Sequence, residues 1–406
     1  MKPRPGACRS SRQQPVAFDR RAFLGASAAL TGLAAFGPAG AIARGDDEDE
    51  KGKARPLLDG KGMPGPYPGR VVEVQNPAAV KEGVPDFDLV REMTNRGLAG
   101  LTGIEEPVEA WRSMFERGDV VGIKVNPVGQ PHSISNYATV HAIVEGLESA
   151  GVRRGDIFIF DRYKDQFIQA GYEAHMPDGC RMAWAAPSYD EAQLDIHRYD
   201  PDVFADLAIV HARPGVHDPR DDRTRRSHVA KVVTQTINKL ICIPVLKDHG
   251  SGGVTLALKN MSHGLVNNVS RSHGTHDTNT CNLFIPAICA LPVLREKVVL
   301  QVLDGLNAVY QGGPGSKKEF VWQYGALFFA TDPVAMDHVG WEIVDAKRQQ
   351  EGLPPVAEVG QKGKDPLGTE GFDYRQPQHI AGSGALGLGV FDKERIDHQV
   401  LKMADG

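Results

Sequence analysis

One short segment, residues 246–260, concentrates side chains that could transfer protons or bind an anion. Lys247, His249, Lys259 and Asn260 stand around a glycine-rich turn. Lysines in an apolar strand or helix are costly to bury without a counter-charge, so they favour a bound anion or cofactor. The alternative is a solvated turn, in which glycines and polar residues are also common. We interpret the segment as part of a functional site.

The residues around this segment predict where it lies in a fold. The apolar run 240–246 is rich in branched residues and predicts a buried parallel strand. From Val254 to Leu265 apolar residues recur at helical spacing, which predicts a helix whose first amides face an anion. Ligands of open α/β sheets bind outside the carboxyl ends of the strands. The segment therefore predicts a site at the carboxyl end of a strand.

Polar residues follow the other predicted strands in the same way. We predict strands at residues 120–126, 156–161, 207–210, 240–246, 298–303 and 326–330. Apart from the strand at 240–246, already described, the downstream ends of these strands carry Lys124, Asn126, Asp161, His211, Asp304 and Asp332. A helix over 138–150 joins the first two strands into a β-α-β unit, which makes them parallel. The predicted fold is α/β, with a mostly parallel β-sheet flanked by helices and the site at the carboxyl ends of the strands.

The residue types at this sheet edge suggest separate chemical roles. Proton transfer is assigned to the imidazole, amine and carboxylate groups of His249, Lys247 and Asp161. Binding of an anion or cofactor is assigned to Lys124, Asn126, Lys259, Asn260, Asp304 and Asp332. Two members of that set also have structural interpretations, Asp304 in a turn and Asp332 as the cap of a helix over 336–346.

Four histidines near the glycine turn form a candidate metal site. They are His249, His263, His273 and His276. Neutral imidazole is a common metal ligand, and the three-residue spacing of the last pair occurs in metal sites. The same spacing also occurs on solvated loops, so both interpretations stay open at this point.

The first 43 residues resemble a twin-arginine export signal. Arg20 and Arg21 precede Phe23 and Leu24, and a weakly apolar run of alanine and glycine then ends near Ala43, beside small residues suited to cleavage. A membrane anchor is the alternative, but glycines and a proline make the run less apolar than a spanning helix requires. The resemblance implies the twin-arginine translocase as a partner, a periplasmic or secreted protein, and no membrane span after cleavage.

Composition divides the rest of the chain and limits its partners. Residues 44–70 are rich in acidic residues, glycine and proline and predict a flexible linker before an α/β domain over 71–406, whose core is at about 115–395. With 46 Lys and Arg against 51 Asp and Glu, nucleic acid is not expected as a partner. No iron-sulfur cluster is expected, because no C-x-x-C pair occurs. The sequence leaves open any disulfide among Cys180, Cys242, Cys281 and Cys289.

Five motifs together resemble the domain-of-unknown-function family numbered 362. They are Ile123–Asn126, Ile243–His249, Val254–Asn260, Val302–Gly305 and Ala330–Asp337. The similarity extends over about residues 115–395, and the segment from Gly382 to Val390 resembles the closing segment of the family. Membership implies no particular reaction. Some members carry an appended ferredoxin-like cluster region, for which this chain lacks the cysteines.

A shorter stretch is similar to the lactate racemase family. His249, the glycine turn, Lys259, and His273 or His276 follow one another in the order of that family's cofactor-binding residues. In that family the lysine is joined covalently to a nickel-pincer nucleotide and the last histidine completes the nickel coordination. The similarity implies a divalent metal or a nickel-pincer-like nucleotide as the cofactor.

Two classes of function are consistent with these residues. The first is an exported metal- or cofactor-dependent enzyme that acts on a small anionic substrate, in the manner of a racemase or an oxidoreductase. The alternative is a non-catalytic periplasmic protein that captures a small anion or metal complex through the same residues. Perturbed pKa values of lysine and histidine are expected in both classes, so the sequence alone does not separate them.

Overall fold

The computed structural model describes residues 62–207, 216–218, 220–272, 280–358 and 376–403. Its strands are, in chain order, β1 (Arg70–Gln75), β2 (Val80–Lys81), β3 (Val84–Pro85), β4 (Val121–Lys124), β5 (Ile157–Tyr163), β6 (Arg181–Ala186), β7 (Tyr199–Asp206), β8 (Arg226–Ala230), β9 (Lys239–Cys242), β10 (Val245–His249), β11 (Gly253–Val254), β12 (Val298–Val309), β13 (Val321–Trp322), β14 (Ala326–Ala330) and β15 (Asp397–Lys402). Its helices are α1 (Phe87–Thr102), α2 (Pro107–Met114), α3 (Tyr137–Ser149), α4 (Lys164–Gln169), α5 (Leu256–Gly264), α6 (Cys281–Cys289), α7 (Pro292–Lys297), α8 (Pro333–Gln350) and α9 (Gln378–Ala385).

The large central sheet is mixed but mostly parallel, as the sequence predicts. Its strand order is β15-β1-β14-β12-β9-β4-β5-β6, and β10 and β13 also pair with β12. The strands β12, β9, β4, β5 and β6 run parallel to their neighbours in that order. The strand β14 is antiparallel to both β1 and β12, and β13 is antiparallel to β12. The α/β fold class is therefore confirmed.

Helices cover both faces of this sheet because its strands are apolar on both faces. Leu240 and Cys242 of β9 pack into one buried core, and Ile241, between them, packs into the other. The first core is completed by α5, α6 and α8, and the second by α1, α2 and α3. In the part of the chain that the structure describes, no helix is both long and apolar enough to cross a bilayer.

The predicted β-α-β unit is confirmed as β4, α3 and β5. Val121 lies opposite Ile157 and Lys124 lies opposite Phe160, so the two strands are parallel and in register. Helix α3 begins after Asn136, whose side chain accepts a hydrogen bond from the amide of Ala138. This unit brings the carboxyl ends of β4 and β5 side by side.

The strand predicted at 240–246 is instead two strands, β9 and β10. Pro244 separates them, because proline has no N–H with which to continue a ladder. Beyond the break, β10 pairs with β12 rather than with β4, and Val245 lies opposite Asp304. Of the strand predicted at 207–210, residues 208–210 lie outside the described residues, as does His211. Leu207 directly follows β7.

The polarity predicted for β14 is wrong. A short connection through β13 returns the chain beside β12, and such a connection makes neighbouring strands antiparallel. The carboxyl end of β14 therefore lies at the sheet edge opposite the carboxyl ends of β4 and β5. Asp332, which follows β14, is separated by this polarity from the other predicted site residues.

Asp332 instead joins distant segments of the chain. Its Oδ1 accepts hydrogen bonds of 2.9 Å from the amides of Val334 and Ala335 at the start of α8. Its Oδ2 accepts hydrogen bonds of 2.8 Å from the amides of Gly69 and Val390. Gly69 and the buried Met63 belong to the segment predicted as a linker, so residues 62–70 are part of the folded domain.

Replacing Asp332 with Asn is expected to destabilise the protein by about 2–4 kcal/mol, because an amide NH2 group would then face backbone N–H donors in a buried site. Urea unfolding followed by circular dichroism measures the change. Asp392→Asn is the matched control, since Asp392 caps a short exposed helix and accepts one hydrogen bond, from the amide of Glu394. Equal free energies of unfolding for the two variants would contradict this assignment.

Candidate anion-binding site

A cavity of about 210 Å³ lies at the carboxyl ends of β4, β5 and β10, beside α5. It brings together eight of the predicted site residues: Lys124, Asn126, Asp161, Lys247, His249, Lys259, Asn260 and His263. Asp304 and Asp332 are not among the residues that line it. His273 and His276 lie outside the described residues, so their position relative to the cavity is not defined.

Lys124 and Asp161 form a buried ion pair at the base of the cavity. Because β4 and β5 are adjacent and parallel, the two side chains leave neighbouring strand ends. Lys124 Nζ lies 2.5 Å from Asp161 Oδ1 and 2.6 Å from the carbonyl oxygen of Val125. The carboxylate of Asp161 thus neutralises one of the cationic groups of the cavity.

Two asparagines connect Lys124 to Lys247. Asn260 Oδ1 accepts hydrogen bonds from Lys124 Nζ at 3.4 Å and from Asn126 Nδ2 at 3.3 Å. Asn126 Oδ1 in turn accepts from Lys247 Nζ at 3.1 Å. These bonds determine the amide orientations, since an ammonium group only donates. The Nδ2 donor of Asn260 is consequently buried and has no hydrogen-bond partner in the structure.

Lys247 is fully buried at a position where its ammonium form is disfavoured. Its Nζ also donates to the carbonyl oxygen of Val128. Burial lowers the pKa of Lys247 to about 7, and the positive charge of Lys259 lowers it further. The amine and ammonium forms of Lys247 therefore both exist near neutral pH.

Lys259 is the second buried lysine of the cavity, and its predicted burial is confirmed. The side chain is 6% exposed, and its stem passes beneath Gly252, where a Cβ would lie 3.7 Å from Lys259 Cδ. Burial lowers the pKa of Lys259 to about 8. Among the described residues, no carboxylate or hydrogen-bond acceptor contacts its Nζ. The group is thus a charged donor at neutral pH, as an anion site requires.

The glycine turn orients His249. The strands β10 and β11 form a hairpin in which His249 lies opposite Gly253, a glycine with a φ of 78°. His249 Nδ1 accepts hydrogen bonds from the amides of Ser251 at 2.9 Å and Gly252 at 3.1 Å. A ring nitrogen that accepts carries no proton, so the proton of the neutral imidazole is on Nε2. In this state Nε2–H is the donor group of the ring, and Nδ1 is not available as a base.

The first amides of α5 face an anion, as predicted, but that anion is a side chain of the protein and not a ligand. The amides of Ala257 and Leu258 donate to the two carboxylate oxygens of Asp337, at 2.7 and 2.9 Å. Asp337 lies on α8 and is fully buried. The anion at this helix terminus is therefore a side chain of the protein. An aspartate among the apolar residues of a predicted helix was the signal that could have identified it.

Asp304 stabilises the fold rather than lining the cavity. Its Oδ2 accepts from the amide of Asn136 and the hydroxyl of Thr139, both at 2.8 Å, and its Oδ1 accepts from the amide of Leu306 at 3.1 Å. These bonds connect β12 to the first turn of α3. Burial raises the pKa of Asp304 to about 6. These hydrogen bonds account for the buried carboxylate of Asp304 without the predicted contact to a cofactor.

The predicted metal site is only partly described. His263 contacts serine hydroxyls through both ring nitrogens, Nδ1 to Ser262 Oγ at 2.9 Å and Nε2 to Ser272 Oγ at 2.7 Å. Within residues 62–403, the segments that the structure describes contain no group of three or more His, Cys, Asp or Glu that could hold a metal ion. The metal prediction consequently depends on His273 and His276.

Two residues of the cavity, Arg162 and Tyr163, were missed by the sequence analysis. They follow Asp161 on β5, which extends two residues further than predicted. Arg162 Nε and Tyr163 Oη are buried and have no hydrogen-bond partner among the described residues. Burial raises the pKa of Tyr163 to about 12, so its hydroxyl keeps its proton. The signal was the polar pair Asp161 and Arg162 at a strand end, of which only the first was weighed.

A family model described as "Domain of unknown function (DUF362)" matches residues 121–342, which include all the residues that line the cavity. No curated protein matches the chain.

Proposed function

The chain belongs to the domain-of-unknown-function family DUF362, and we propose that it is an enzyme that moves a proton on a small anionic substrate held in the lysine-lined cavity. One observation carries the proposal. Among the described residues that line the cavity, four have lysine or arginine side chains and one has a carboxylate. The cationic side chains are Lys124, Arg162, Lys247 and Lys259.

Unsatisfied hydrogen-bonding atoms in residues that line the cavity support an anionic ligand. Asn260 Nδ2 and Arg162 Nε are donors only, and Tyr163 Oη can donate. A buried donor without an acceptor costs about 1–3 kcal/mol. A carboxylate or phosphate supplies several acceptor oxygens, and its charge offsets that of the Lys259 ammonium. An anion therefore satisfies both requirements of the cavity.

The pKa of Lys247 supports proton transfer rather than binding alone. A general base works best when its pKa is near the working pH, and that of Lys247 is about 7. In the proposed step the neutral amine of Lys247 takes the proton from a carbon next to a carboxylate. The C–H bond breaks, an N–H bond forms, and the electron pair moves onto the carboxylate oxygens. Lys259 and the Nε2–H group of His249 stabilise that negative charge.

Deuterium exchange tests this function. Wild-type protein is incubated in D2O with small 2-hydroxy and 2-amino carboxylates, and deuterium at carbon 2 is measured by nuclear magnetic resonance. Wild type is expected to exchange at least one substrate, and Lys247→Met is expected to lose at least 100-fold of the rate. Lys297→Met is the matched control: Lys297 is buried and its pKa is lowered to about 8, but its Nζ donates to backbone carbonyls outside the cavity.

The result also separates the two classes of function. The melting temperature of the protein is measured with the same anions. An anion that raises the melting temperature but shows no exchange would support the binding protein and contradict the enzyme. If no anion raises the melting temperature, the anion site itself is contradicted. Metal analysis of the same samples tests the predicted cofactor, because a stoichiometric metal is expected if His273 and His276 bind one.

Export through the twin-arginine pathway is part of the proposed function. The translocase reads the paired arginines, so replacing both Arg20 and Arg21 with Lys is expected to leave the protein in the cytoplasm. Immunoblotting of periplasmic and cytoplasmic fractions measures the distribution. A double variant of two arginines outside the signal, Arg153→Lys with Arg154→Lys, serves as the control and should be exported. Normal periplasmic yield of the first variant would exclude this signal.

A further inference from the structure

A second compartment lies beside the first. This compartment has a volume of about 130 Å³, and Arg162 and Tyr163 line it as well as the first. The segment after β6 forms part of the wall between the two, because Tyr189 lines the first compartment and its neighbours Ser188 and Asp190 line the second. A ligand that occupies the first compartment therefore has a second space next to it.

The two compartments differ in charge. Both are lined by Arg162; the first adds three lysines and Asp161, whereas the second adds the exposed residues Asp190 and Asp195. Each carboxylate is positioned by a local hydrogen bond: Asp190 accepts from the amide of Gln193 at 2.8 Å and Asp195 accepts from the amide of His197 at 2.9 Å. Each bond uses one carboxylate oxygen, so acceptor capacity is left for a donor group of a ligand.

The junction of the compartments also indicates a ligand. Arg162 is 5% exposed, and Gln193 and Tyr163 position its guanidinium, with Nη2 2.7 Å from Gln193 Oε1 and Cζ 4.6 Å from the centre of the Tyr163 ring. In this ordered arrangement Arg162 Nε and Tyr163 Oη remain buried without partners. Each group can donate a hydrogen bond, and both residues line both compartments.

We propose that the substrate is a small zwitterion, with an anionic group in the lysine-lined compartment and an ammonium group in the compartment of Asp190 and Asp195. This inference rests on the proposed function, because it assumes the same anion site. Each compartment has room for a small charged group, since a single water needs only about 10–15 Å³ of such space. Amino acids carry both charged groups and also the carboxylate that the proposed proton transfer requires.

Two probes that differ only in the ammonium group test the proposal. Ethyl phosphate carries the anion alone, and phosphoethanolamine adds an ammonium group at the far end of the same skeleton. Isothermal titration calorimetry is expected to show at least tenfold tighter binding of phosphoethanolamine to wild type. The variant Asp190→Asn with Asp195→Asn is expected to bind the two probes equally. Glu191→Gln, in an exposed acid that lines neither compartment, is the matched control and should keep the preference.

The possible outcomes are distinct. If ethyl phosphate and phosphoethanolamine bind wild type with equal affinity, the zwitterion proposal is overturned while the anion site stands. Retention of the preference by the double variant would also overturn it, because the two carboxylates would then not be its source. If neither probe nor inorganic phosphate binds wild type, the proposed function itself fails. The wild-type comparison decides the matter even if the double variant does not fold.

Discussion

Replacing Lys259 with Met is expected to raise the stability of the anion-free protein by about 1–3 kcal/mol and to weaken phosphate binding about 10- to 100-fold. Both effects have the same cause. The ammonium group is buried without an acceptor among the described residues, so its removal relieves a desolvation cost. In the complex it makes a charge-assisted bond to the anion, worth about 1.5–3 kcal/mol, which Met does not replace. Met keeps most of the stem and its packing.

The control for this prediction is Lys297→Met. Lys297 has the same lowered pKa of about 8, but its Nζ donates to the carbonyl oxygens of Val233, Thr234 and Ile237. Its removal leaves buried carbonyls without donors, so this variant is expected to be less stable and to bind phosphate normally. Thermal melts with and without phosphate measure both quantities. A Lys259→Met protein that binds phosphate as wild type does would remove Lys259 from the site.

The stability difference between wild type and Lys247→Met is expected to change by about 1.4 kcal/mol per pH unit between pH 7 and 8.5. The pKa of Lys247 is about 7 in the folded protein and about 10.4 in an unfolded chain. Between these values the unfolded chain binds more protons than the native protein. Stability therefore rises with pH through this window in wild type, and the contribution of Lys247 is absent from the variant. Below pH 7 the difference should level off.

Urea unfolding at intervals of 0.5 pH unit measures this difference. The comparison with the variant is needed because other groups act in the opposite direction. Burial raises the pKa of Cys242 to about 12, for example, so above pH 8.5 the unfolded chain loses a thiol proton that the native state keeps. Subtracting the two proteins cancels this contribution. A difference that stays constant from pH 7 to 8.5 would mean that Lys247 keeps an ordinary pKa and is not the base.

Much of the site follows from local sequence pattern. Apolar, branched runs that end in Lys124 and Asp161 mark neighbouring parallel strands, because one helix between two strands produces a right-handed crossover. The glycine turn between Lys247 and Lys259 was recognisable because its closely spaced glycines follow an apolar run. Buried lysines at strand ends have few structural explanations. These features depend on residues close together in the chain, whose conformations are set by local propensity and hydrophobic pattern.

The remaining features depend on contacts between distant residues. Strand polarity placed Asp332 at the far edge of the sheet. Asp304 accepts hydrogen bonds from α3 and Asp337 accepts them from α5, although by sequence both carboxylates were equally suited to bind a ligand. The sequence by itself determined the fold class, the buried lysines, and the strand ends that carry Lys124 and Lys247. Only the tertiary structure decided which carboxylates are structural, how His249 is protonated and that Arg162 joins a second compartment. The physical reason is that a hydrogen-bond partner depends on which elements become neighbours, and local pattern does not specify that.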